Sequence, residues 1–130
     1  VERIDFFSKP SLEGEFTVDF EVPIVVINDC TKIGVLSDLY LFVVEPKEYR
    51  GLHIRTQEEL EELPCAVRNQ EGRVFRIRTG KALQVRPEVE YEMKIIGRVV
   101  GKEIRSSFKF LLTKEDWGSL KSTEKYIKML

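Results

Sequence analysis

Val85-Arg86-Pro87-Glu88-Val89-Glu90-Tyr91-Glu92-Met93 alternates strictly, with apolar residues at the odd positions and charged ones at the even positions. A period of two is that of a β-strand with one face in a core and the other in water. Glu88, Glu90 and Glu92 share the charged face, where they keep the strand solvated and discourage pairing with a foreign edge. Pro87 fixes the entry into the strand.

Outward from this run the pattern repeats. Downstream, Ile95 continues the apolar face, the chain reverses around Val100-Gly101-Lys102, and Ile104, Ser106, Phe108, Phe110 and Leu112 form a returning face. This predicts a hairpin whose turn uses the positive φ open to Gly101. Upstream, Val67, then Phe75 and Ile77, then Leu83 and Val85 mark short strands separated by Gln70-Glu71-Gly72 and Thr79-Gly80-Lys81 turns.

In the first half, Phe16, Val18, Phe20 and Val22 alternate with Glu15, Thr17, Asp19 and Glu21, a half-buried strand that Pro23 bends, bulges or confines to an edge. Val35–Val44 is apolar on both faces and predicts a central strand. Val1–Phe7 reads as an edge strand or docking arm, and Leu52 and Ile54 as a short strand. Thr56 with Glu59 fits a capping box, predicting a brief helix over Gln57–Leu63 that Pro64 stops. After Glu115-Asp116, the spacing of Trp117, Leu120, Ile127 and Leu130 predicts a helical tail over 115–130, following a sandwich domain over 1–114. Many short strands, frequent turns and no βαβ alternation indicate a mainly β, antiparallel sandwich or barrel.

The chain has 130 residues, room for one domain with a real core. With 42% hydrophobic and 33% charged residues its composition is that of a soluble globular protein. The longest apolar runs, near Val22–Ile27 and Leu39–Val44, fall far short of the roughly 20 residues that cross a bilayer as a helix. A formal charge of −1 gives no global attraction to nucleic acid or anionic lipid, so an electrostatic partner needs a local patch. No basic start or apolar stretch of a leader follows Val1, and the compartment stays open.

Val85-x-Pro87-x-Val89-x-Tyr91-x-Met93 resembles the corner between strands E and F of fibronectin type III and related immunoglobulin-like domains, and Glu88–Leu112 resembles their strands F and G. The resemblance implies an immunoglobulin-like β-sandwich, here with a short inserted helix and the helical tail. It also implies structural roles for Pro87 and Tyr91, the tyrosine ring in the core and its hydroxyl on backbone in the Thr79–Pro87 region. The only tryptophan, Trp117, follows the last strand, and Leu63 stands two residues before Cys65. Both set the chain apart from antibody-type domains. The resemblance is silent on ligand.

Patterns that would name a chemistry are incomplete. Gly97-Arg98-Val99-Val100-Gly101-Lys102 is one residue short of a phosphate loop and carries Glu103 where Ser or Thr would hold magnesium. His53 is the sole histidine, so no metal site, cofactor or catalytic constellation is expected. Cys30 and Cys65 either form one disulfide, worth roughly 3–4 kcal/mol in the chain-entropy model, or are two small buried thiols. One cluster of like charge stands out: Arg73, Arg76, Arg78, Lys81 and Arg86, with Arg76 and Arg78 on one strand face and Phe75 and Ile77 on the other. It could bind phosphate or an acidic partner.

These residues predict a non-catalytic binding or assembly module that presents a sandwich surface to a protein partner or to a second copy. Two alternatives are a small OB-like barrel binding nucleic acid through the Arg73–Arg86 stripe, and an accessory domain of a larger enzyme.

Overall fold

A computed structural model describes residues 3–10, 16–29, 31–55, 63–99, 102–119 and 125–128. They form two antiparallel sheets, face to face, with the core between them. The strands are β1 (Arg3–Pro10), β2 (Phe16–Asn28), β3 (Gly34–Glu45), β4 (His53–Arg55), β5 (Cys65–Val67), β6 (Glu71–Arg78), β7 (Glu90–Val99), β8 (Lys102–Leu111) and β9 (Lys125–Lys128). A short helix, α1 (Lys114–Ser119), precedes the last strand. The first sheet runs β6-β2-β1-β9 and the second β4-β3-β7-β8, with β5 also paired to β3.

The period-two pattern sets which side chains meet. Val18, Phe20 and Val22 of β2, Phe75 and Ile77 of β6, Leu39, Leu41 and Val43 of β3, and Tyr91, Met93 and Ile95 of β7 are all buried. Phe110 of β8 sits at the middle of an aromatic cluster, stacked on Tyr91 at 5.2 Å and edge-on to Phe6 and Phe20 at 5.3 and 5.1 Å. Such pairs add to the burial of apolar area that drives the two sheets together. β3 is central because both its edges are used, one by β7 and the other by β4 and β5.

The corner before β7 is built on Tyr91, which is fully buried. Its hydroxyl accepts from the Arg86 backbone N–H at 2.9 Å and donates to the Gln84 carbonyl at 3.3 Å. Glu88 is not part of the strand. It turns the chain at φ 59°, donates its N–H to the Leu112 carbonyl, and accepts the Lys114 N–H on its carboxylate. Thr79, the one polar residue that is fully buried among the described residues, is satisfied across the strands by Phe20: its hydroxyl accepts from Phe20 N–H at 3.1 Å.

The C-terminal segment is where sequence periodicity misleads. The described helix spans Lys114–Ser119, and Lys125–Lys128 is a strand paired with β1, Arg3 opposite Lys128 through Phe6 opposite Lys125. An open β1 edge offers a ladder of backbone partners, a stronger claim on four residues than one more helical turn. Trp117 packs against the core from α1. The helix expected over Gln57–Leu63 and the turn at Gly101 lie outside the described residues.

Candidate functional site at the apolar end of the sandwich

The basic cluster does not form a free cationic stripe. Arg76 and Arg78 do share the outer face of β6, whereas Arg73 lies on the face of Phe75 and Ile77, and each of the three has a partner within this chain. Arg78 reaches Asp19 with two nitrogens, at 2.8 and 3.4 Å, and lies over the Phe7 ring at 4.2 Å. Arg76 stands 3.7 Å from Glu21, and Arg86 pairs with Glu48. Arg73 donates to the Cys65 sulfur at 2.7 Å and to the Ala66 carbonyl at 3.4 Å. Lys81 is exposed in a short 3-10 turn at Gly80–Ala82. The pairing arises from register: β6 lies antiparallel to β2 with Arg78 opposite Glu21 and Arg76 opposite Pro23, so the acidic face of one strand borders the basic face of the next.

Of the structural residues, Pro87 lies half-buried in the corner ahead of β7 and Tyr91 in the core. Cys65 is a free, partly buried thiol on β5, while Cys30 is outside the described residues. His53 faces out from β4 between the rings of Tyr40 and Phe42, at 4.9 and 5.1 Å, with Arg55 over Tyr40 and tied to Asp38. That hydrogen bond with Asp38 raises the Arg55 pKa further above its already high value.

The feature that sequence reasoning missed is at one end of the molecule. Val25, Ile27, Ile33, Val35, Val74 and Ile104 are large apolar side chains left in water, Ile27 being 69% exposed. All six belong to the end bearing the β2–β3 connection, the start of β6 and the β7–β8 hairpin. Val25 and Val74 are register partners, so they form one continuous patch on the outer face of the first sheet. Exposed apolar residues scattered singly are ordinary, but a gathered set marks a site of association.

Beside the patch is a cleft of about 540 Å³ between the sheets. Its walls include Ile24 and Val26 of β2, Leu36 and Leu39 of β3, Ile95 of β7 and Ile104 of β8. It exists because the sheets have unequal extent: β1 pairs with β2 only from Phe16 to Glu21, so nothing among the described residues covers the distal half of β8. Ile104 and Ser106, which share a face with buried Phe108, are therefore exposed. Sequence alternation marks both as inward, and only the length of the opposing sheet reveals that they are bare. The sole signal in the chain was the uncharged run Pro23–Ile27, which reads equally well as a buried strand.

No protein-family model matches this chain, and neither the curated proteins nor the solved structures contain a match to it. The class defined by fold and site is thus a two-sheet antiparallel β-sandwich with an apolar end. No helix among the described residues is long and apolar enough to cross a membrane.

Proposed function

We propose that this chain is an immunoglobulin-like β-sandwich serving as a non-catalytic binding or assembly module, and that it docks a protein partner on its apolar end. The observation that carries the reading is the collection of Val25, Ile27, Ile33, Val35, Val74 and Ile104 at one end, next to an apolar cleft. Burying such side chains contributes roughly 1.5–3 kcal/mol each when complete, enough in sum to drive association.

Strand order supports the immunoglobulin-like part. Taking β1, β2 and β6 as strands A, B and E, and β3, β7 and β8 as C, F and G, each sheet has the neighbours that such domains have, with β4 in the added position beside C. The Tyr91 hydroxyl bonded to backbone at Gln84 and Arg86 is in keeping with the tyrosine corner. In that frame the apolar end carries the B–C and F–G connections, the end that variable domains use for recognition. The analogy adds to the reading and does not carry it.

Site-specific photo-crosslinking tests it. A crosslinking residue in place of Ile33, in extracts of the cells that make the protein, is expected to give one discrete adduct with a polypeptide, lost on Ile27→Asp. The same residue in place of Glu115, away from the apolar end, should give none. Equal adducts at both positions, or none at either, overturn the docking role; an adduct of twice the chain's mass identifies a second copy as the partner.

A further inference from the structure

Docking at the apolar end, taken from the preceding reading, leaves open how the partner is held, and the backbone of β2 bears on that. The Phe20 carbonyl accepts the Thr79 N–H while its own N–H donates to the Thr79 hydroxyl, the Val18 carbonyl accepts from Val85 and the Asn28 carbonyl accepts from Gln70. Even-numbered residues of β2 therefore direct their N–H and C=O toward β6. Odd-numbered ones direct theirs to the β1 side, where the ladder stops at Asp5 opposite Glu21. Pro23 has no N–H to give, and beyond it Val25 and Ile27 present theirs past the last described β1 partner. Among the described residues no strand pairs with β2 at these two donor–acceptor pairs, and that edge borders the cleft whose walls include Ile24, Val26, Leu36, Leu39, Ile95 and Ile104.

We infer that the partner is held by strand addition: an extended, uncharged segment of polypeptide pairs with β2 along Pro23–Ile27 and sets apolar side chains into the cleft. Several observations select this occupant. Only a peptide backbone satisfies donors and acceptors at the spacing of Val25 and Ile27, which a lipid chain or a small apolar molecule cannot do. The edge from Pro23 to Ile27 is uncharged, and Arg105 on the rim is already bound to Glu103 at 2.9 Å, so neither an acidic nor a basic segment is favoured. The position also continues an interface that exists. It prolongs the line that β1 occupies beside β2, where Phe6 meets Phe110 of β8, and a strand placed there extends the first sheet over Ile104 and Ser106.

The register follows from the pleat. Ile24 and Val26 face the core side while Val25 and Ile27 face out. Partner residues opposite Ile24 and Val26 therefore point into the cleft, and those opposite Val25 and Ile27 lie beside the outer patch. Five residues of β2 span roughly 17 Å, so the recognised segment is about five or six residues long, with apolar side chains at alternate positions.

Panning a random dodecapeptide phage library on the folded chain provides the probe. Enriched peptides are expected to carry apolar residues at alternate positions. Binding of the best peptide should slow amide exchange at Val25 and Ile27, and should weaken about tenfold or more in Val25→Pro, which removes one open-edge N–H. Val25→Thr keeps that N–H and gives up only apolar surface of the patch, so it should weaken binding at least about threefold less than Val25→Pro does. Gly97→Val is a second variant that does not depend on β2 tolerating proline. A Cβ at Gly97 meets Leu36 and Leu39 at 3.5 and 3.7 Å, ordinary contact, so the larger side chain fills the cleft floor and should also weaken binding. Peptides without alternation, equal affinity for Val25→Pro and parent, or unchanged exchange at Val25 and Ile27 overturn strand addition. An Ile33 adduct that persists in Val25→Pro leaves docking standing while strand addition fails; loss of every adduct at that end removes docking itself.

Discussion

Tyr91 shows how much one side chain contributes to this fold. Its ring is stacked on Phe110 and its hydroxyl closes the corner on Arg86 N–H and the Gln84 carbonyl. Tyr91→Phe keeps the ring and loses both bonds, so it should cost roughly 1–3 kcal/mol, measured by urea denaturation. Burial pushes the phenol pKa above its ordinary value, against the opposing pull of the Arg86 N–H. With the folded pKa above the unfolded one, the native state holds a proton that the unfolded chain releases. That stability is full below the unfolded value near pH 10 and is lost as pH rises through the folded value. The melting temperature should therefore fall above about pH 10, and fall less steeply in Tyr91→Phe. A parallel decline in both proteins would assign the alkaline loss to other groups.

At the scale of the element, β2 is one strand with two kinds of edge. Val26, an even residue opposite Arg73, turns its N–H to β6, while Val25 turns its own to the open side. Val26→Pro should therefore cost roughly 1–3 kcal/mol more than Val25→Pro in thermal or urea unfolding, since only the first removes a ladder donor and strands its acceptor. Equal costs would mean that the β1-side edge at Val25 is occupied in the folded chain. The strands that alternate cleanly, β2, β6, β7 and β8, were legible because a period of two admits one sheet-facing set. β9 was not. Four residues of Lys125–Lys128 carry no alternation strong enough to outweigh the helical spacing of Trp117 and Ile127, and their strand form depends on an edge contributed by residues more than a hundred positions away.

For the whole molecule, two expectations follow from how the sheets are completed. β9 covers the β1 edge, so deleting 121–130 should lower stability by roughly 1–3 kcal/mol and raise self-association, read by thermal melting and light scattering. An unchanged melt would show that β9 adds little to the first sheet. The Arg76 and Arg78 charges are opposed by Glu21 and Asp19, so no mobility shift of DNA or RNA is expected at low salt. A shift that weakens steeply with salt, and whose slope flattens in the Arg76→Ala, Arg78→Ala double variant, would restore the nucleic-acid reading.

The order of residues by itself determined that the chain is mainly β and antiparallel, that Phe75 and Ile77 face in while Arg76 and Arg78 face out, and that β3 is central. Each of these depends on the pleat, a property of neighbouring residues along one strand. Only the tertiary structure decided which charges meet and which apolar residues stay bare. Arg78 finds Asp19 because β6 lies beside β2 in one register, and Ile104 is exposed because the described pairing of β1 with β2 stops at Asp5 opposite Glu21 while β8 reaches to Lys102. Registers and relative strand lengths are set by contacts between distant segments, and such contacts have no local signature for a sequence to display.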